Sequence, residues 1–383
     1  MKNEKKTVLL IYGGKGKEHE ISVRGAVFAS KLFDREKYRV IPVYISREGK
    51  WFVRKNLPGA TGVLRLARGE CERIAVYPTC IEDGPALLGR GALIHTDCAI
   101  PLLHGDFGED GVVQGALESA GIPYVGCSVK AGAVISDKGF TKLIARSLGI
   151  PTAEGIRVTN DESAASAVSR AEGALKYPMF VKPPSLGSSI GAARVTDRES
   201  LILAITTAQG LSDGLLIEDC IDIEKELECG YFGTKCKEIF TKPGEISYDG
   251  QFYDYNTKYK SAYGVRISEC AEVTDDISRK VIDISKKLCR ELGVRHLSRI
   301  DFFLTKDSRL IFNEINSFPG FTENSLYPKL LKKAGIEPAE LLNLLVEDTL
   351  DGGYNQNTPF EDAEASQGAT RIFNRVTEDF SDR

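Results

Sequence analysis

The chain has 383 residues, 42% of them hydrophobic and 27% charged, with a formal net charge of −4. That length exceeds one ordinary hydrophobic core, so two or three domains are expected. The slight acidity lacks the basic excess of a nucleic-acid or membrane-surface protein, which leaves any anionic ligand to local clusters of Lys and Arg.

The nine cysteines are scattered and form no C-x-x-C pair. Reduced thiols of a cytoplasmic protein are therefore expected, rather than zinc or a disulfide framework. No stretch approaches the ~20 apolar residues of a membrane span, and the run Val8 to Tyr12 is too short for a signal peptide.

In chain order, Val8 to Tyr12 reads as a buried strand, followed by Gly13-Gly14, a helical pattern from Ser22 to Leu32 and a strand from Tyr38 to Ile45. Strand, glycine turn, helix and strand predict a parallel βαβ unit with its site at the strand's C-terminal edge. The turn G-G-K-G-K-E lacks the third glycine of a dinucleotide fingerprint. It carries Lys15, Lys17, Glu18, His19 and Glu20 instead. Taken alone, Glu20 either simply complements a helix dipole or serves the site at the strand's edge. Residues 54–92 show no clear element. A strand from Cys98 to Leu103 runs into His104-Gly105-Asp106-Phe107-Gly108-Glu109-Asp110-Gly111, where glycines around a lone His suit close approach by a ligand. A helix (Val112 to Ala120) and a short strand (Pro123 to Val125) complete a first domain, 1–135.

Asp137-Lys138 opens a helix from Phe140 to Leu148. Two strands, Met179 to Pro183 and Ala192 to Val195, flank Ser185-Leu186-Gly187-Ser188-Ser189-Ile190-Gly191. This is no P-loop, because the turn leads to a strand and lacks G-K-[ST]. It reads either as a hairpin tip that covers phosphates or as a plain surface hairpin with a solvated Lys182. A strand from Leu215 to Ile221 closes a second unit, 136–222, with Glu224 and Glu226 just beyond. The third unit, 223–350, holds a loop rich in tyrosine and lysine (251–263) and a helix from Ile277 to Leu292. The tail 351–383 is polar and of marginal order.

The most informative stretch is a hairpin. Apolar runs Ile300 to Leu304 and Leu310 to Ile315 flank Lys306-Asp307-Ser308-Arg309. A turn centred between Asp307 and Ser308 sets Asp301 opposite Glu314, Arg299 opposite Asn316 and Phe303 opposite Phe312, all on one face. Directly opposed carboxylates repel. Either Mg²⁺ bridges Asp301, Glu314 and the Asn316 amide, or Arg299 neutralises the acids.

Eight ordered segments resemble the D-alanine–D-alanine ligases of the ATP-grasp superfamily. They are G-G-x(4)-H-E-I-S (13–22), H-G-x-x-G-E-D-G (104–111), G-I-P-Y-V-G (121–126), D-K (137–138), V-K-P-x-x-x-G-S-S-I-G (181–191), Y-D-Y-x-x-K-Y (253–259), R-I-D-F (299–302) and N-E-I-N-S-x-P-G-F-T (313–322). The resemblance implies an α/β (α+β) protein with the ATP-grasp fold: an N-terminal Rossmann-like domain, a central lid domain and a C-terminal catalytic domain. It also implies a cytoplasmic enzyme of peptidoglycan synthesis, commonly a homodimer. Such an enzyme phosphorylates one D-alanine carboxylate with ATP and lets the amine of a second D-alanine displace the phosphate.

By that resemblance Asp301, Glu314 and Asn316 hold two Mg²⁺ ions, with Mn²⁺ as an alternative. Lys138, Lys182 and Lys258 bind phosphates, Glu218, Asp219 and Ile221 bind adenine, and Glu226 binds ribose. Arg299 and the amide of Gly320 stabilise the oxyanion. Glu20 anchors the first D-alanine's ammonium, with Ser188 and Tyr259 as its partners. His104 lies near the first substrate, and Ser325 and Leu326 near the second carboxylate. A D-alanine–D-serine or D-alanine–D-lactate ligase is the near alternative, and a non-catalytic nucleotide-binding protein the distant one. Arg299 beside Asp301, Glu314 and Asn316 speaks against the distant one.

Overall fold

Residues 4–54, 71–73, 75–76, 86–88, 93–248 and 265–352 are described by a computed structural model. The N-terminal run of apolar residues forms β1 (Lys6–Gly13), and α1 (His19–Leu32) leads from it to β2 (Tyr38–Ile45), parallel to β1. Short strands β3 (Trp51–Arg54) and β4 (Cys71–Arg73) extend this sheet. Next come β5 (Ala75–Val76), β6 (Ala86–Leu88) and β7 (Leu93–His95), which pair among themselves, and β8 (Cys98–Pro101), which returns parallel to β1.

Both faces of β1 are buried, as a central parallel strand requires. Val8, Leu10 and Tyr12 face one core and Leu9 and Ile11 another. Helix α2 (Val112–Ser119) covers the second face through Val113 and Leu117. The first face is covered by α1 together with residues from the far end of the chain, Phe318, Tyr327, Leu341 and Leu345. The expected strand at Pro123 to Val125 reduces to one bridge, Ala99 to Tyr124.

Two helices follow, α3 (Val129–Ile135) and α4 (Lys138–Ser147), the latter capped by Asp137, whose carboxylate accepts from the Gly139 and Phe140 amides. The second sheet is antiparallel, in the order β11-β10-β12-β9: β9 (Gly155–Val158), β10 (Met179–Lys182), β11 (Ala193–Val195) and β12 (Leu215–Asp219). Helices α5 (Ala164–Ala174) and α6 (Arg198–Ala208) bury alanine, valine and leucine against it. The third sheet contains β13 (Ile223–Gly233), β14 (Glu238–Phe240), β15 (Gly244–Tyr248), β16 (Val265–Ser268), β17 (His296–Thr305) and β18 (Leu310–Asn316). It packs on α7 (Asp275–Leu292), which is capped by Thr274 and ended by Gly293 in the left-handed conformation. Helices α8 (Leu326–Lys333) and α9 (Pro338–Leu350) finish the described chain.

The hairpin β17–β18 corrects one expectation. Arg299 does face Asn316, and Asp301 faces Glu314, but Phe312 pairs with Phe302 rather than Phe303. The connection is closed by Thr305 and Arg309 around Lys306, Asp307 and Ser308, with Ser308 left-handed at φ 61°. That odd-length turn shifts the register by one residue, and a bulge at Asn313 shifts it back. Phe302 and Phe312 therefore lie together in the core, while Arg299 and Asp301 stay on the half-exposed face.

Candidate active site

A row of carboxylates runs across the third sheet. Glu228 on β13 pairs with Asp301 on β17, which pairs with Glu314 on β18. Arg299, two residues before Asp301 and so on the same face, offsets their repulsion. Its guanidinium donates through Nε and Nη2 to both Asp301 oxygens (2.8 and 2.7 Å) and lies 3.2 Å from Glu228 Oε2. Burial works against the guanidinium charge, but Asp301 and Glu228 outweigh it and hold the group protonated. Asn316 Nδ2 also donates to Asp301 (3.1 Å), and Lys138 Nζ stands 3.2 Å from Glu314 Oε2. Glu228 was not among the sequence candidates; its signal lay in the strand period of Glu226-Leu227-Glu228.

Lys138 belongs to α4, whose N-terminus points toward this wall. It also donates to the Leu186 carbonyl (3.0 Å), tying α4 to the β10–β11 turn. Lys182 is not solvated: its ammonium meets Glu218 Oε2 at 2.9 Å and Asn313 Oδ1 at 3.3 Å. Glu218 is buried and binds Lys142 as well. Burial pushes its carboxyl up, yet the two ammonium groups of Lys182 and Lys142 prevail and hold it at about 2. Asp219 at the end of β12, Ile221 on the link to the third sheet and Glu226 on β13 are all half-exposed. The amide of Asp219 is engaged by the Glu154 carbonyl.

On the N-terminal side, the glycine-rich loop after β8 meets the loop after β18. His104 is buried; its Nδ1–H donates to the Phe318 carbonyl (3.2 Å), which leaves Nε2 as an acceptor without a partner among the described residues. Burial lowers its affinity for a second proton. Glu109 accepts from the amides of Gly105 (2.8 Å) and Phe318 (3.0 Å), clasping the two loops together. Burial, with Glu18 nearby, pushes its carboxyl up to about 7.

Glu20 does not reach this place. It is exposed on the outer face of α1 and pairs with Arg47 at 2.8 Å. Glu18, one residue before the helix starts, turns inward and accepts from Ser188 Oγ at 2.5 Å. Gly105 and Gly187 leave room for it, since a Cβ on either would lie within 2.9 Å of Glu18 Oε2. Helix phase separates the two acids: α1 begins at His19, so Glu20 falls on the solvent side.

These groups surround one cavity of about 1010 Å³, whose wall includes Glu18, His104, Lys138, Ser188, Arg299, Glu314, Asn316, Gly320, Ser325 and Leu326. Ser325 Oγ accepts from the Thr322 amide (3.1 Å) and would be 3.1 Å from a Cβ at position 320, so glycine there keeps its backbone open to the cavity. Lys182, Glu218, Asp219, Ile221 and Glu226 stand outside this wall, the first three on the second sheet and Glu226 on the third. Lys258 and Tyr259 lie outside the described residues, as do residues 353–383 of the tail.

Among the described residues, no group of three His, Cys, Asp or Glu side chains is placed to hold a metal unaided. The hairpin offers two carboxylates and an amide, an all-oxygen set that fits Mg²⁺ once phosphate oxygens and water complete it. No helix among the described residues is long and apolar enough to cross a membrane. Cys98, Cys127, Cys220, Cys229, Cys236, Cys270 and Cys289 are free thiols.

Comparison with known proteins places this geometry. A family model described as "D-ala D-ala ligase N-terminus" matches residues 7–127, and one described as "D-ala D-ala ligase C-terminus" matches residues 144–347. The D-alanine–D-alanine ligase of Caldicellulosiruptor bescii is 36% identical over 350 residues, covering 88% of this chain and 93% of that one. Two solved structures are similar. The VanG D-Ala:D-Ser ligase of Enterococcus faecalis superposes with a TM-score of 0.81 at 27% identity, covering 90% of this chain and 100% of the other. The D-alanine–D-alanine ligase of Bacillus anthracis complexed with ATP gives 0.68 at 26%, covering 93% and 100%.

Proposed function

The chain belongs to the D-alanine–D-alanine ligase family, with the ATP-grasp fold of those enzymes, and from that premise we propose that it joins two D-alanines in the cytoplasm to make the dipeptide of peptidoglycan. The observation that carries this reading is the cavity in which Arg299, Glu314, Asn316, Lys138 and the Glu18–Ser188 contact converge, with Asp301 held behind Arg299.

An oxygen of the first carboxylate attacks the γ-phosphorus of ATP; the bond to ADP breaks and an acyl phosphate forms. Two anions must meet, so the site needs positive charge around the transferring group. Lys138 and Lys182 supply it. Mg²⁺, held by Asp301, Glu314 and Asn316, supplies further neutralisation of phosphate charge when bound. The amine of the second D-alanine then attacks the acyl carbon, and Arg299 with the Gly320 amide receives the developing oxyanion. Collapse expels phosphate, and the amine loses a proton.

Glu18, rather than Glu20, anchors the first ammonium. It is the inward acid, and the lone pair on His104 Nε2 gives that ammonium a second acceptor. Ser325 and Leu326 frame the carboxylate of the second substrate. Lys258 and Tyr259 serve the γ-phosphate and the first substrate as the family resemblance implies, and two copies assemble as a dimer. The likeness to a D-Ala:D-Ser ligase keeps D-serine as a second acceptor to be tested.

The deciding assay is phosphate release with ATP and Mg²⁺, comparing D-alanine alone with mixtures containing D-serine or D-lactate. Release with D-alanine alone, yielding the dipeptide, is the expected result. Release only with a mixture would move the chain to the alternative acceptor, and none at all would reject ligation.

A further inference from the structure

Lys142 is a buried cation that the reaction outlined above leaves without a task. It lies four residues after Lys138 on α4, hence on the same helix face one turn along. The two lysines reach acids from different sheets: Lys138 meets Glu314 at 3.2 Å, and Lys142 meets Glu218. The Lys142 side chain is 3% exposed and that of Glu218 5%. The second oxygen of Glu218 holds Lys182, which reaches on to Asn313 at the bulge beside Glu314. Gly155 makes room for the carboxylate, since a Cβ there would stand 2.8 Å from Glu218 Cγ.

The charges in this cluster do not cancel. Lys142 and Lys182 share one carboxylate in a place largely closed to water, and burial together with the Lys182 ammonium pulls Lys142 down to about 7 against the hold of Glu218, so below that pH a positive charge is left over. Such an excess is unfavourable until an anion arrives. Without Lys142, Glu218 would instead cancel Lys182 completely.

We propose that Lys142 is a positioning residue for nucleotide phosphate: it occupies half of Glu218, so that Lys182 keeps an unspent charge for the anion. This rests on the reading of the cleft as an ATP site. It assigns Glu218 a second duty, as the carboxylate that orients two lysines at once.

The test is ATP binding by calorimetry, with Mg²⁺ present, for the full chain and the variants K142M, E218Q and K142M/E218Q. Measured at pH 6, below the Lys142 value of about 7, the wild type carries one excess charge, K142M none, E218Q up to two and the double variant one. K142M should bind ATP on the order of tenfold more weakly, as expected when one poorly screened charge is withdrawn. The double variant should regain most of that loss although it carries an additional change. A structural role alone predicts the opposite, since two buried substitutions would then be worse than one. ATP affinity of K142M within twofold of wild type, or a double variant no tighter than K142M, overturns the proposal. If K142M does not fold, E218Q must bind ATP more tightly than the double variant, and equal affinities overturn the proposal. A wild-type chain that binds no ATP rejects the underlying reading of the cleft instead, and the proposal with it.

Discussion

Replacing Ser188 by Ala tests how the β10–β11 turn is held over the substrates. Its hydroxyl donates to Glu18 Oε1 at 2.5 Å from a side chain that is buried. A hydrogen bond to a charged partner contributes about 1.5–3 kcal/mol. Opposing it is backbone strain: Ser188 and Ser189 are both left-handed, at φ 55° and 57°. Each non-glycine residue held there costs roughly 1–2 kcal/mol. The bond to Glu18 is thus comparable to the strain it offsets. Losing it should shift the closed arrangement by about tenfold to a hundredfold, at ~1.4 kcal/mol per factor of ten. Steady-state phosphate release with D-alanine varied should show that drop in kcat/KM, while Tm hardly moves, because the turn lies outside the hydrophobic cores. S188G loses the same bond but also relieves the strain at one residue, so it should fall between wild type and S188A. A kcat/KM for S188A within twofold of wild type, or S188G clearly worse than S188A, would refute the reasoning.

Other outcomes follow from the same geometry. Glu109 has its carboxyl raised from 4.5 to about 7, so the folded state binds its proton more tightly than the unfolded chain. The stabilisation is complete below pH 4.5 and is lost as pH rises through 7. Between those limits wild-type stability should fall relative to E109Q by up to about 3 kcal/mol, read from urea unfolding; parallel curves would dismiss it. E314Q should reduce phosphate release by about a hundredfold or more, with circular dichroism unchanged; near-normal turnover would remove Glu314 from the metal set. R299K loses the two-pronged grip on Asp301. Its kcat should fall by about a hundredfold while the KM for ATP changes little, and a full-speed R299K enzyme would take the oxyanion role away from Arg299.

Much of this was legible locally. Apolar runs ending in glycine announced β1 and β8, and the strand period of two put Asp301 and Glu314 on one face for the expected register, which the bulge at Asn313 restores. The same reasoning misplaced Phe312, because an odd-length turn and a bulge at Asn313 compensate each other from Asp301–Glu314 to Arg299–Asn316 but not between the bulge and the turn. Motif order identified the family, yet the resemblance pointed to Glu20 where the structure turns Glu18 inward. Two residues apart, those acids differ only in where α1 starts, and that start depends on packing against β1 and the Ser188 turn.

The sequence by itself determined the strands, the opposed acids and the ordered set of ligase segments, since each depends on neighbours within a few residues or on spacing alone. Tertiary structure decided which acid turns inward, that Glu109 clasps two loops, and that Lys142 and Lys182 share Glu218. Those contacts join residues dozens to hundreds of positions apart. Their energies come from burial and from charges meeting across separate sheets, which no local periodicity encodes.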